Sequence, residues 1–255
     1  MAFWYFLIGL LTSVIGAISG LGGGVFIKPI LDFFGHYPIT TIGVLSSTSV
    51  FTMSAVSLWT RRRELKTMDQ VQTALLAGGA VTGGLLGKGI FTTLLVYEWI
   101  GAVQIILLII VFSTVLFYVQ HKEKFPIFHI KDKRVIFIMG LALGLLSAFL
   151  DIGGGPHNIA VLSLFFAMNA KESALFSLFI ICFSQLSSLS VTFITADMSS
   201  YDLTMLPGMI IGAVLGGALG SSLSKWLSMR SVELIFKVAL SGLIILNIYN
   251  LYAFF

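Results

Sequence analysis

The chain has 255 residues, of which 57% are hydrophobic and 10% charged, with 15 Lys and Arg against 11 Asp and Glu for a net charge of +4. An ordinary soluble domain carries about 25% charged residues, so the composition excludes a water-soluble globule, whose surface needs more polar groups than this chain has. Cations beside apolar stretches usually set membrane orientation, so no nucleic-acid partner is expected.

In chain order, residues 1–27, 33–60, 70–87 and 99–120 carry no charged side chain, and neither do 135–150, 173–196, 203–224 and 238–255. A helix needs about 20 mainly apolar residues to cross a bilayer, and several runs reach that length. The expected class is an all-α, multi-pass membrane protein with the lipid bilayer as its surroundings, since the alternation of a β-barrel is missing. No cationic region precedes the first apolar stretch, so a cleaved secretory signal is not expected. The single cysteine, Cys182, excludes an internal disulfide framework and a multi-cysteine metal cluster. No cofactor or metal is expected.

The chain is written twice. Gly22-Gly23-Gly24 returns as Gly153-Gly154-Gly155, 131 residues later, and at that offset Ser46 falls on Ser177. Gly79, Gly83, Gly84 and Gly87 return as Gly212, Gly216, Gly217 and Gly220, offset by 133, as does Asp69 in Asp202. The expected division is a first transmembrane repeat over 1–120, a cytoplasmic linker over 121–134 and a second repeat over 135–255. Duplicated apolar halves are a mark of secondary transporters.

Charge predicts how the halves are related. The loop Arg61-Arg62-Arg63-Glu64-Leu65-Lys66 is rich in cations, whereas its counterpart over 196–201 has Asp197 and no cation. Cytoplasmic loops collect Lys and Arg, so the two loops are expected on opposite sides, which makes the repeats inverted. Each half then reads as a glycine-broken helical hairpin, entering and returning on one side, followed by three transmembrane helices. Of the 15 cations, 13 become cytoplasmic, leaving Lys88 external and Lys28 within the membrane. Both termini are expected outside.

Three consecutive glycines suit a helix interior poorly, each costing about 1 kcal/mol relative to alanine. Unwound backbone at membrane depth persists where it is buried in protein or lines a cavity. Two such breaks at equivalent positions are expected to meet near the midplane. There the free N–H groups at the starts of the following helices favour an anion, and Pro156 suits a first helical turn. The stripes Gly79-Gly83-Gly87 and Gly212-Gly216-Gly220 read instead as helix-packing faces.

The stretches 17–24 (Ala-Ile-Ser-Gly-Leu-Gly-Gly-Gly) and 145–156, which ends Asp151-Ile152-Gly153-Gly154-Gly155-Pro156, resemble the TauE/SafE sulfite exporter family. That family carries a G-(I/L)-GGG element in each half, the second usually followed by proline, and a Thr-Ser pair after the first, here similar to Thr48-Ser49. The resemblance covers essentially the whole chain. It implies export of sulfite, organosulfonates or related small sulfur-containing anions across the bacterial cytoplasmic membrane, without enzymatic chemistry.

The polar residues near the breaks complete the candidate site. Lys28 either contacts the anion or pairs with Asp32 at i,i+4 or with Asp151. Asp151 is a counter-ion for Lys28 or a proton carrier for coupling. His157 and Asn158 either donate toward the anion or cap a satisfied turn. Ser46, Thr48, Ser49 and Ser177 line the path or bond helix to helix. The expected substrate-binding set is therefore Gly22, Gly23, Gly24, Gly153, Gly154, Gly155, Ser46, Thr48, Ser49, Ser177, His157, Asn158 and Lys28. An anion channel of the same architecture is the alternative. An intramembrane enzyme built on Ser19 with His157 as base is a third reading, and a homo-oligomer is possible.

Overall fold

The structure is a computed structural model describing residues 2–65 and 68–254. Lys66, in the expected cationic loop, lies outside the described residues. The described chain is helical: α1 (Ala2–Ser19), α2 (Gly24–Phe34), α3 (Ile39–Thr60), the short α4 (Arg62–Leu65), α5 (Gln70–Leu94), α6 (Ile100–Gln120), α7 (Lys133–Phe149), α8 (Pro156–Phe166), α9 (Ala170–Thr195), α10 (Leu206–Trp226) and α11 (Met229–Phe254). Seven of these, α1, α3, α5, α6, α9, α10 and α11, are long and apolar enough to cross a membrane, and the protein is a multi-pass membrane protein.

Helix starts follow local chemistry. Asn169 and Glu172 form a reciprocal capping box at α9. The Asp69 carboxylate accepts the Val71 and Gln72 N–H groups at the start of α5, and Asp132 accepts that of Arg134 at α7. Each hairpin returns to where it began. In the first, Tyr5 near the start of α1 meets His36 just past α2 at 3.0 Å. In the second, the strand-like linker before α7 donates from Phe128 and Ile130 to the carbonyls of Leu164 and Phe165 at the end of α8.

The two glycine stripes explain the closest helix pairs. A Cβ on Gly79, Gly83 or Gly87 of α5 would meet the backbone of Phe137, Leu141 or Leu145 on α7. Gly212, Gly216 and Gly220 of α10 stand in the same relation to Phe6, Leu10 and Val14 of α1. Both pairs therefore run parallel with backbones in contact, the packing that small-residue stripes permit. Around them, α3 lies on α10 and α9 on α5, while α3 and α9 cross at the centre.

Several cationic segments gather at one end. Lys225 Nζ donates to the Thr60 carbonyl at 3.2 Å and Lys171 Nζ to that of Lys225 at 3.4 Å. At the same end, one cavity is lined by Lys122, Asn169 and Met229. The opposite end holds the ends of α2 and α11 with the start of α6, around a cavity lined by Lys28, Asp32, Gly101 and Asn250.

Candidate functional site

The breaks between α1 and α2 and between α7 and α8 touch each other. A Cβ on Gly24 would lie 2.6 Å from the Ile152 carbonyl oxygen, and one on Gly155 would strike the Leu21 backbone. The chain turns at matching places: Gly22 has φ 77° and Gly153 φ 78°, a region open to glycine and costly for a side chain. Gly23 and Gly155 are the caps of α2 and α8. The first N–H groups of both helices therefore lack intrahelical acceptors.

Two serines hold the breaks in place. Ser46 Oγ on α3 donates to the Asp151 carbonyl at 3.3 Å, and Ser177 Oγ on α9 donates to the Gly20 carbonyl at 2.7 Å. Residues 20 and 151 are themselves 131 apart, so the two bonds are equivalent. In this conformation both hydroxyls are used on backbone. Ser49 is likewise turned to its own helix, donating to the Leu45 carbonyl at 2.8 Å.

Other polar atoms are buried without a hydrogen-bond partner among the described residues: Lys28 Nζ, Thr48 Oγ1, His157 Nδ1, Asn158 Oδ1, and both amide atoms of Gln185. Burying such groups unpaired is costly, and several flank the breaks. Gln185 packs on Gly153, while the Asn158 amide nitrogen lies where a Cβ on Gly154 would fall. Asn158 also donates to Ser177 at 3.4 Å.

The breaks meet as expected, and apolar side chains lie on them. Val50 and Ile181 pack directly on Gly22 and Gly153, so the breaks are closed by apolar side chains where α3 and α9 cross. Val50 and Ile181 are also 131 apart. That offset was available in the sequence, but two aliphatic residues in long apolar runs carry no chemical signal.

The ion pairs need corrections. Asp151 pairs with Lys88, not Lys28: Lys88 Nζ lies 2.8 and 3.0 Å from the two carboxylate oxygens. Lys88 is 7% exposed and Asp151 fully buried, so Lys88 sits inside the helical body and not in external water. Helix α5 runs past the charge-free stretch to Leu94, carrying Lys88 one residue beyond its glycine stripe. Gly43 on α3 leaves room for the pair, since a Cβ there would fall 2.8 Å from Asp151 Oδ2. Lys28 turns the other way, into the cavity at the far end, with Asp32 Oδ2 at 3.9 Å. The enzyme reading loses its geometry as well. Ser19 donates to its own helix at Ile15, and the residue beside His157 Nε2 is Ser147, at 3.3 Å.

Lys88, Gly43 and the Val50–Ile181 pair are thus additions to the expected set. No curated protein matches the chain. The family model described as Sulfite exporter TauE/SafE matches residues 5–247, nearly the whole length and both breaks, and the chain belongs to that family of membrane transporters.

Proposed function

We propose that the protein is a secondary transporter that exports a small sulfur-containing anion, such as sulfite or an organosulfonate, across the bacterial cytoplasmic membrane by alternating access. The two halves act as inverted repeats joined by the 121–134 linker, with the cationic end in the cytoplasm. The anion is held where the two breaks meet, by N–H groups of the Gly22–Gly24 and Gly153–Gly155 segments. Thr48, His157 and Asn158 supply further donors, and Ser46, Ser49 and Ser177 do so once their backbone bonds exchange. Lys28 adds a positive charge along the route, and Asp151 is the candidate for proton coupling.

The observation that carries this reading is the mutual contact of two unwound segments in the core, with buried polar atoms beside them that have no hydrogen-bond partner among the described residues. A helix pair broken only for packing has no need of such atoms. The conformation described is a closed one, because Val50 and Ile181 cover the glycines, and carriers pass through such a state between their two open forms. Inversion is supported by the hairpins, which return to opposite ends, and by the parallel pairs α1–α10 and α5–α7, each joining non-equivalent members of the two halves.

The test is uptake of sulfite, thiosulfate and a sulfonate into proteoliposomes holding the purified protein. Saturable flux with counterflow is expected. Unsaturable flux without counterflow indicates a channel, and no flux of any of the three overturns the reading. A reporter at residue 64 is expected in the cytoplasm and one at 199 outside; signals on the same side defeat the inversion.

A further inference from the structure

A buried ion pair is weak evidence for stability, because removing two charges from water costs about what their attraction returns. The Lys88–Asp151 pair comes with an internal control. Shifting by the repeat offsets puts Gly20 at the place of Asp151, Ala174 at that of Gly43 and Ser221 at that of Lys88. Gly20 and Ala174 face each other as Asp151 and Gly43 do, since a Cβ on Gly20 would strike Ala174. The same turn is thus built in the first half with no charge at all. Asp151 moreover takes φ 52°, a region costly for most side chains, and its counterpart there is a glycine. The frame does not require the pair.

Lys88 is also reachable. A cavity of about 220 Å3 is lined by Lys88, Thr40, Thr92, Thr192, Asp197 and Tyr201, and it leads from the loop after α9 to the ammonium group. Two of that group's three N–H donors lie on Asp151. Phe91 backs it, with its ring centre 4.9 Å away, leaving the cavity as the approach for a new partner.

We infer that Lys88 is an anion-binding residue of the pathway and that Asp151 is its exchangeable partner: a small oxyanion arriving through the cavity takes Lys88 from the carboxylate. This rests on the proposed transport function and deepens it. Once displaced, the Asp151 carboxylate is buried without its counter-charge, which draws Lys88 back when the anion leaves. The charged and titratable groups facing the pair are few. The α3 face offers Gly43 and Ser46, and α9 offers Thr192. The loop beyond α9 brings Asp197 and Tyr201, and Asp32 on α2 is within electrostatic reach. Burial, and then the Asp151 charge, push the Tyr201 phenol above its ordinary range.

The experiment compares wild type, Asp151→Asn, Lys88→Met and the double variant. Sulfite binding is read as a thermal shift in detergent and sulfite flux in proteoliposomes. Asp151→Asn removes the competitor and keeps the cation, so half-saturating sulfite is expected to fall several-fold. The double variant, neutral at both places, is expected to melt near wild type yet to need about tenfold more sulfite or worse. A double variant that binds and moves sulfite as wild type does overturns the exchange, as does an Asp151→Asn protein whose affinity is unchanged or weaker. A wild-type protein that neither binds nor moves sulfite, thiosulfate or a sulfonate instead brings down the transport reading, and this inference with it.

Discussion

The first and second breaks use one backbone design and differ in their chemistry. Both turn through positive φ, at Gly20 and Gly22 in one and at Asp151 and Gly153 in the other. Both have a serine of the long helix on the same carbonyl, and both sit under Val50 and Ile181. They part at three features. The second break holds a buried ion pair, Lys88 with Asp151, where the first has Gly20, Ala174 and Ser221. It starts its short helix with Pro156 and places His157 and Asn158 in the same first turn. Its glycines are also stretched further, with Gly154 at φ 100° and Gly155 at φ 95°, while Gly23 is helical at φ −61°. A duplicated frame therefore fixes where the chain unwinds, and divergence between the copies decides which side carries charge.

The sharpest way to break this comparison is to load both breaks equally. A side chain on Gly154 meets unfavourable backbone and would lie 2.6 Å from both Asn158 Nδ2 and Ser147 Oγ, whereas on Gly23 its nearest contact is Ser13 Oγ at 3.3 Å. Gly154→Ala is expected to reduce sulfite flux by about a hundredfold, in line with misplacing groups at a working site. Gly23→Ala is expected to keep most of it. Equal loss from the two, measured in proteoliposomes at matched protein insertion, would erase the claimed asymmetry.

The next effect concerns stability. Lys88→Met leaves Asp151 buried and unpaired, and is expected to cost about 3 kcal/mol, with the double variant Lys88→Met/Asp151→Asn recovering most of it. The counterpart of Lys88 at the first break behaves differently. The Ser221 hydroxyl is buried with no partner among the described residues, so Ser221→Ala is expected to change stability by less than about 0.5 kcal/mol. Thermal unfolding of the three proteins in one detergent checks both halves of the statement.

Much of the frame was legible in the sequence because backbone demands leave glycine where no other residue fits. Gly79, Gly83 and Gly87 announced a close helix contact, and the triple glycines announced the breaks. Charge bias also foretold the gathering of Lys171, Lys225 and the 121–134 segment at one end. The ion pairing was not legible. Lys28 has Asp32 four residues away and so attracts an i,i+4 reading, whereas Lys88 and Asp151 are 63 positions apart and meet only because α5 packs along α7. A faint signal existed: Lys88 continues a glycine stripe that packs into the core, with no acidic residue near it on its own helix. The closure by Val50 and Ile181 was hidden for another reason, since an apolar residue at a helix crossing looks like any other apolar residue in the run.

The smallest effects belong to the serine clamps, and they sharpen the comparison most finely. Ser177 donates to the Gly20 carbonyl at 2.7 Å, while Ser46 donates to that of Asp151 at 3.3 Å. Removing either leaves a buried carbonyl short of a donor, which costs about 1 kcal/mol. The shorter bond gives Ser177→Ala the larger loss, and Asn158, which donates to Ser177, loses its acceptor in the same step. Ser46→Ala loosens only its own carbonyl, because Asp151 remains held by Lys88. Thermal midpoints should therefore fall in the order Ser177→Ala, then Ser46→Ala. If Lys88→Met/Asp151→Asn is the background, the gap between the two serine variants should narrow, since Ser46→Ala then frees a carbonyl that no ion pair holds. Failure to converge would mean that the pair and the clamp act independently, and that the charge does not help to hold the backbone it sits on.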